Sequence, residues 1–273
     1  MSWLINKIVK NLENLFVKTA WLEDLVGQYS FVGNTPFFEI EQFPSLKVLE
    51  SNWKTIRQEL DPILEIVEHL PNYQDISKRQ GNITNDEHWK TYWFYAYGYQ
   101  ARKNCERCPQ TTRLLEKVPG LKAAFFSILS PHKHIPKHRG KHKGVIRYHL
   151  GLMIPEPKED CWIKIADKTT YWEEGKSLIF DDTFYHEVQN NTDGYRVVLF
   201  LDIARPLRFP LSLVNWLANK LIAASPIVQE AKVNHEQWEQ KFEATIPYTG
   251  DSNGTGNNIK RSNIPTSNSR SRN

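Results

Sequence analysis

The chain has 273 residues, 40% hydrophobic and 12% aromatic, with a formal net charge of +4. That is enough apolar material for a sizeable core, in one large domain or two small ones, and it excludes a chain that is disordered throughout. The segment Ile246–Asn273 holds Lys260, Arg261, Arg270 and Arg272 against Asp251, so +3 of the charge lies there; the remainder is near neutral, which argues against a nucleic-acid binder.

Residues 3–29 place Leu4, Ile5, Ile8, Val9, Leu12, Leu15 and Phe16 at helical spacing, with charges between them. This predicts an amphipathic N-terminal helix within residues 1–36. After the loop "GNTPFF", residues 45–69 show a second helical pattern through Leu46, Leu49, Trp53, Ile56 and Leu60, disturbed by Pro62. The run "WKTYWFYAYGYQ" packs seven aromatics into twelve residues and reads as a strand or strand pair, its rings either in the core or lining a substrate cleft. Cys105 and Cys108 form a C-x-x-C pair without a second one, so two reduced thiols are expected there. Three cysteines in all argue against a secreted disulfide scaffold.

From Gly120 to Pro206 short β-like segments follow one another, broken by turns such as "EEGK" and "NNTDG", as in an all-β sandwich or barrel. Phe209 to Gln229 carries one charge, Lys220, and is interrupted by Pro210 and Pro226. It reads as a core helix or as a helix lying in a membrane interface. Residues 246–273 are low in complexity and expected to be disordered. No signal peptide and no clear membrane span stand out, so the expected location is the cytoplasm, at the inner face of the membrane if the amphipathic segments bind lipid.

Five of the nine histidines lie in "HKHIPKHRGKHKGVIRYHLGL", from His132 to Leu152. Strand alternation puts Arg147, His149 and Gly151 on one face and Ile146, Tyr148, Leu150 and Leu152 on the other. Arg196 is the lone charge in the apolar run "YRVVLFL" and calls for an anionic partner. Neutral imidazoles on separate strands (His138 and His186, each followed by an Arg) suit a transition metal. Lys133, Lys137, Arg139, Lys141 and Lys143 suggest either a solvated basic loop or a positive rim that attracts anions.

The combination "FSIL…IPKHRG…IRYHLGLMIP" and "WEEGKSLIFDDTFYHEVQNNT…RVVLFLDIARP", with Cys108-Pro109-x-Thr111 upstream, resembles the aspartyl/asparaginyl β-hydroxylase family. That family comprises Fe(II)- and 2-oxoglutarate-dependent oxygenases, bacterial lipid A and ornithine-lipid hydroxylases among them. The resemblance implies a mainly β core, a double-stranded β-helix of jelly-roll or cupin-like type, with flanking N- and C-terminal α-helices. It implies one oxygenase domain over residues 37–245, with the β-helix at about 120–207 and C-terminal helices at 209–245. Carried over by position, His138 and His186 become the iron ligands. Gly140 stands where many oxygenases of this fold have a carboxylate. Arg196 and Ser127 would bind the far carboxylate of 2-oxoglutarate, and Arg147 and His149 its other end. Asp182 would act beside the metal, holding a bound water. The expected reaction is O2-dependent hydroxylation of an unactivated C–H bond, most readily the β-carbon of Asp or Asn in a peptide or protein. The alternatives are C2 hydroxylation of a membrane-lipid acyl chain, with peripheral membrane association, and a non-catalytic metal- or anion-binding barrel.

Overall fold

In the computed structural model, which describes residues 20–245, eight strands divide equally between two antiparallel sheets, crossing from one to the other at every connection but the β7–β8 hairpin. They are β4 (Leu121–Leu129), β5 (His134–His138), β6 (Val145–Met153), β7 (Cys161–Ile165), β8 (Lys168–Tyr171), β9 (Ser177–Phe180), β10 (His186–Asn190) and β11 (Arg196–Ala204). The larger sheet runs β1-β9-β6-β11-β4-β2-β3, where β1 is Phe37–Phe38, β2 Trp89–Ala96 and β3 Tyr99–Gln100. The smaller runs β5-β10-β7-β8. This crossing pattern is the double-stranded β-helix, which matches the expected fold class.

The alternation read from sequence divides the large sheet cleanly. Tyr148, Leu150, Val197, Leu199 and Phe126 face the helices in one apolar cluster. Phe125, Leu129, Val198 and Phe200 face the small sheet in another, with Ile135, Ile163 and Val188 opposite. The aromatic run does both things at once. Tyr92 and Phe94 enter the helix-side core, while Trp89 and Trp93 point between the sheets. A strand period of two makes the two readings of that run complementary.

Strand β5 lies in a stretch without a strand signal: it carries Pro136, two histidines and a lysine in five residues. The sheet accommodates it because β5 is an edge strand, where a missing N–H breaks no ladder bond.

The helices pack outside the large sheet and at its ends: α1 (Ala20–Gln28), α2 (Lys47–Ser51), α3 (Trp53–Leu64), α4 (Tyr73–Ile76), α5 (Arg102–Arg107), α6 (Pro109–Leu115), α7 (Leu211–Ala223) and α8 (Pro226–Thr245). Pro62 sits in the last turn of α3 without stopping it earlier. The expected N-terminal helix 3–29 lies largely outside the described residues, as does the 246–273 tail; α1 is its described part. Cys108-Pro109-x-Thr111 has a structural use. Pro109 opens α6, and the Glu59 carboxylate of α3 accepts from Gln110 N–H, Thr111 N–H and Thr111 Oγ1 at 2.8, 2.8 and 2.7 Å. Cys105 and Cys108 are buried free thiols, and burial pushes both upward in pKa, so neither is an activated nucleophile.

His235 anchors α8. Its Nδ1 pairs with Tyr99 Oη at 3.1 Å, and its Nε2 faces Asn104 Nδ2 at 3.4 Å. Burial pushes its pKa down from 6.5 to about 4. The unfolded chain takes up this proton near 6.5 and the folded chain only near 4. The associated stability is therefore full above that unfolded value and is lost as pH falls toward the folded one. Urea midpoints should drop between about pH 7 and pH 5. A His235→Gln variant should show a shallower drop over the same window.

Candidate active site

The two histidines nominated as ligands are cross-strand partners: His186 of β10 lies opposite His138 of β5, with ring centroids 4.2 Å apart. Strict alternation would not bring them together. Ile135 pairs with Val188, so one extra residue of β5 bulges out before His138 pairs with His186. The bulge reverses the phase of the strand and turns His138 inward beside its partner. The rings are oriented alike. His138 Nδ1 lies 2.8 Å from Pro136 O, and His186 Nδ1 lies 2.9 Å from Phe184 O. A carbonyl only accepts, so each Nδ1 carries a proton and each Nε2 presents a lone pair. Burial lowers both pKa values, and the neighbouring imidazole helps bring His186 to about 3. Two neutral imidazoles with free Nε2 atoms have the donor chemistry that a transition metal requires. Among the described residues no group of three or more His, Cys, Asp or Glu converges.

The missing carboxylate at position 140 has a geometric reason. A Cβ built on Gly140 would lie 2.3 Å from Asp182 Oδ2 and 2.4 Å from Oδ1. The Asp182 carboxylate thus fills the space beside the ligand loop, and Gly140 N–H donates to Asp182 O at 2.7 Å. Asp182 Oδ2 pairs with Arg147 Nη2 at 3.0 Å, and Oδ1 has no partner. Burial raises its pKa to about 6, against the pull of Arg147. Arg147 also grips Asp202 through Nε and Nη2 (3.0 and 3.2 Å) and lies over Phe200. It was expected at the cosubstrate; its fork is shared here between two acids at the edge of a large cavity.

Deeper between the sheets the polar groups are almost all donors. Arg196 is buried, and its Nε and Nη1 have no partner. Burial lowers its pKa to about 10. Its guanidinium lies 4.7 Å from the centre of the Trp172 ring. Trp172 Nε1–H donates to His149 Nδ1 at 3.3 Å, which leaves the proton on His149 Nε2, and that atom has no acceptor either. Ser127, beside Arg196 on the neighbouring strand, accepts from Trp89 Nε1 at 3.0 Å and keeps its own O–H free. A buried cation and adjacent donors without acceptors are costly unless an anion joins them. The set has the chemistry of a carboxylate site; the expectation was Ser127 and Arg196 at the far carboxylate of 2-oxoglutarate and His149 at its other end. Trp172 and Asp202 were not foreseen. Asp202 had a signal, since it lies six residues after Arg196 and shares its face; Trp172 had none.

The basic rim is smaller than the sequence suggests. Lys133 is buried on Asp86 (2.6 Å), Lys143 is buried on Asp181 (3.0 Å), and Arg139 is held by Glu23 (2.6 Å). Only Lys137 and Lys141 of the five stand exposed. The partners lie far away in sequence, so charge counting alone overstated the patch.

On the other side of His138 a cavity of about 750 Å³ opens toward α7 and α8. Arg147, Asp182 and Asp202 stand near His138 in its wall. The rest is largely apolar, with Trp93, Ala123 and Phe125 from the sheet and Leu221, Ile222 and Val228 from the helices.

A double-stranded β-helix with paired inward histidines, a buried arginine and an adjoining cavity places this chain among the jelly-roll folds. Residues 50–206 match the family model described as aspartyl/asparaginyl beta-hydroxylase, and the chain belongs to that hydroxylase family. It is 42% identical over 225 residues to the ornithine lipid ester-linked acyl 2-hydroxylase of Rhizobium tropici, covering 82% of this chain and 80% of that protein. It is 35% identical over 166 residues to the human aspartyl/asparaginyl beta-hydroxylase, covering 59% of this chain but only 21% of that much longer protein. Among solved structures it is similar to a Pseudomonas putida prolyl-4-hydroxylase, with TM-score 0.37 and 14% identity, covering 59% of this chain and 98% of that one.

Two outcomes test the geometry. Anaerobic Fe(II) titration should show no binding to His138→Ala or His186→Ala and normal binding to His142→Ala; equal losses in all three would refute the ligand choice. Gly140→Ala should displace Asp182 and weaken metal affinity roughly tenfold, the size typical of a change just behind a metal's own ligands.

Proposed function

We propose that this chain is an Fe(II)- and 2-oxoglutarate-dependent oxygenase that hydroxylates the acyl chain of a membrane lipid. The observation that carries the substrate choice is the large, mainly apolar cavity that has His138 in its wall. Its volume suits a flexible hydrocarbon chain. The similarity to the Rhizobium tropici acyl hydroxylase over most of both chains supports the same choice. The Asp/Asn reading, favoured by the sequence motifs, keeps the support of the 35% identity to the human protein, but over only a fifth of that protein's length.

His138 and His186 would hold the iron through their free Nε2 atoms. Arg196, Ser127 and His149 would hold the two carboxylate-bearing ends of 2-oxoglutarate, with the planar Arg196 fork suited to one carboxylate. Iron with 2-oxoglutarate and O2 supplies the oxidant for an unactivated C–H bond, and the co-products are succinate and CO2. The protein's part is binding, orientation and exclusion of water. Asp182, with one unpartnered oxygen, would accept a hydrogen bond from a water beside the histidines. Arg147 holds that carboxylate in place while Asp202 balances the charge of Arg147. Phe125, Phe200 and Trp93 form the dry wall along which a chain would lie.

The test is mass spectrometry of lipids and peptides from cells with and without the protein. Acyl chains one oxygen atom heavier are expected, lost in His186→Ala. Modified Asp or Asn residues with unmodified lipids would favour the other substrate. Ala123→Phe, which narrows the cavity, should abolish turnover of long chains while 2-oxoglutarate binding stays unchanged. Arg196→Met should weaken 2-oxoglutarate binding by roughly tenfold or more, the loss of a charged bidentate contact.

A further inference from the structure

Helix α7 is inside out. Its buried positions are Asn215, Ala218 and Asn219, and its exposed positions include Leu213, Val214, Trp216 and Leu217. A surface helix ordinarily has the reverse arrangement. Asn215 ties the buried face to the protein, its Nδ2 donating to Gly144 O at 2.9 Å, while Asn219 Nδ2 donates within the helix to Asn215 O at 2.8 Å. Phe209 leads into the helix, and Phe31 stands nearby, its N–H bonded to Pro206 O at 3.0 Å. With Trp21 of α1, seven of the ten large apolar side chains that stand exposed among the described residues fall in these two neighbouring segments. The remaining three, Tyr171, Tyr185 and Val233, are elsewhere in the chain.

Charge narrows the choice of partner. Residues 203–229 contain no Asp or Glu. Arg208 and Lys220 are exposed beside the patch, over the Phe31 and Trp216 rings at 5.2 and 5.8 Å. On α1, Glu23 is taken by Arg139, and Asp24 is the remaining exposed acid. Aromatic and aliphatic side chains bordered by bases suit the boundary between anionic headgroups and acyl chains. At 13 residues α7 is about 20 Å long, short of a hydrocarbon core about 30 Å thick. Among the described residues no single helix is long and apolar enough to cross a membrane; the α7–α8 pair is bent by 47°, and α8 buries His235 and Phe242 in the protein. The opposite side of α7 supplies Ala218, Leu221 and Ile222 to the cavity wall. One helix therefore separates the cavity from the exposed patch.

We infer that α7, with Phe31 and Phe209, docks in the plane of an anionic lipid bilayer and brings the cavity to the membrane surface. The docking stands on the patch alone; its use in delivering an acyl chain rests on the proposed function. The test is flotation of the full chain with vesicles of phosphatidylcholine, with and without phosphatidylglycerol. Binding is expected, stronger with phosphatidylglycerol. The triple variant Leu213→Ser, Trp216→Ser, Leu217→Ser should bind at least roughly tenfold more weakly, with unchanged melting temperature and 2-oxoglutarate binding. Tyr171→Ser on β8 should bind like the parent chain. Unaltered vesicle binding by the triple variant would overturn the inference, including the case where deletion of residues 1–19 abolishes it. So would a parent chain that ignores vesicles and forms a dimer the triple variant dissociates, since a second copy would then cover α7. Vesicle binding without any 2-oxoglutarate binding would leave the docking intact and remove the proposed reaction instead.

Discussion

The buried pair of Asp181 and Arg205 ties together the segments that surround the site. Arg205 reaches the Asp181 carboxylate with one nitrogen, donates to Lys143 O at 2.7 Å with another, and donates to Gly33 O at 3.1 Å with the third. Lys143 shares Asp181 Oδ2 with Arg205, and Thr183 donates its hydroxyl to Oδ1 of the same carboxylate at 2.6 Å. The chain before β1, the loop before β6, the turn after β9 and the end of β11 all converge there. Removing one partner of such a pair leaves a buried charge and costs on the order of 3–5 kcal/mol. The next residue is Asp182, which points the opposite way, into the site. The outward acid fixes the turn, and the turn fixes the inward acid.

Two different environments meet at the paired histidines. On one side lie Arg196, His149 and Ser127, a buried group rich in donors. On the other lies a roomy cavity lined by rings and aliphatic chains. The acids Asp182 and Asp202 gather around Arg147 between them and away from Arg196. That separation keeps Arg196 free of an internal partner. Had Asp202 reached Arg196, an incoming carboxylate would have had to displace it.

Much of the fold was legible because a strand's period is rigid. The alternation in "GVIRYHLGL" separated Arg147 and His149 from Tyr148, Leu150 and Leu152, and the latter three share the helix-side core as that division implies. The juxtaposition of His138 and His186 was not legible from strand alternation, since His138 turns inward by a bulge that no periodicity encodes. The burial of Lys133 and Lys143 was hidden because Asp86 and Asp181 approach them only after folding. Helix α7 was hard for a related reason: its apolar residues suggest a core, but Asn215 finds its hydrogen bond on the protein side, at Gly144 O, and the apolar face is outward.

The position of β5 has a mechanical consequence. It is the outermost strand of the small sheet, bonded only to β10, whereas β10 is clasped on both sides. His138 thus rides on the more weakly held strand and His186 on the better held one. An ion shared by the two rings would act as a rivet across that open margin, stiffening the strand that an empty site leaves loosest. Loading and local rigidity would then rise together, and the first backbone amides to gain protection from exchange would be those between His134 and His138.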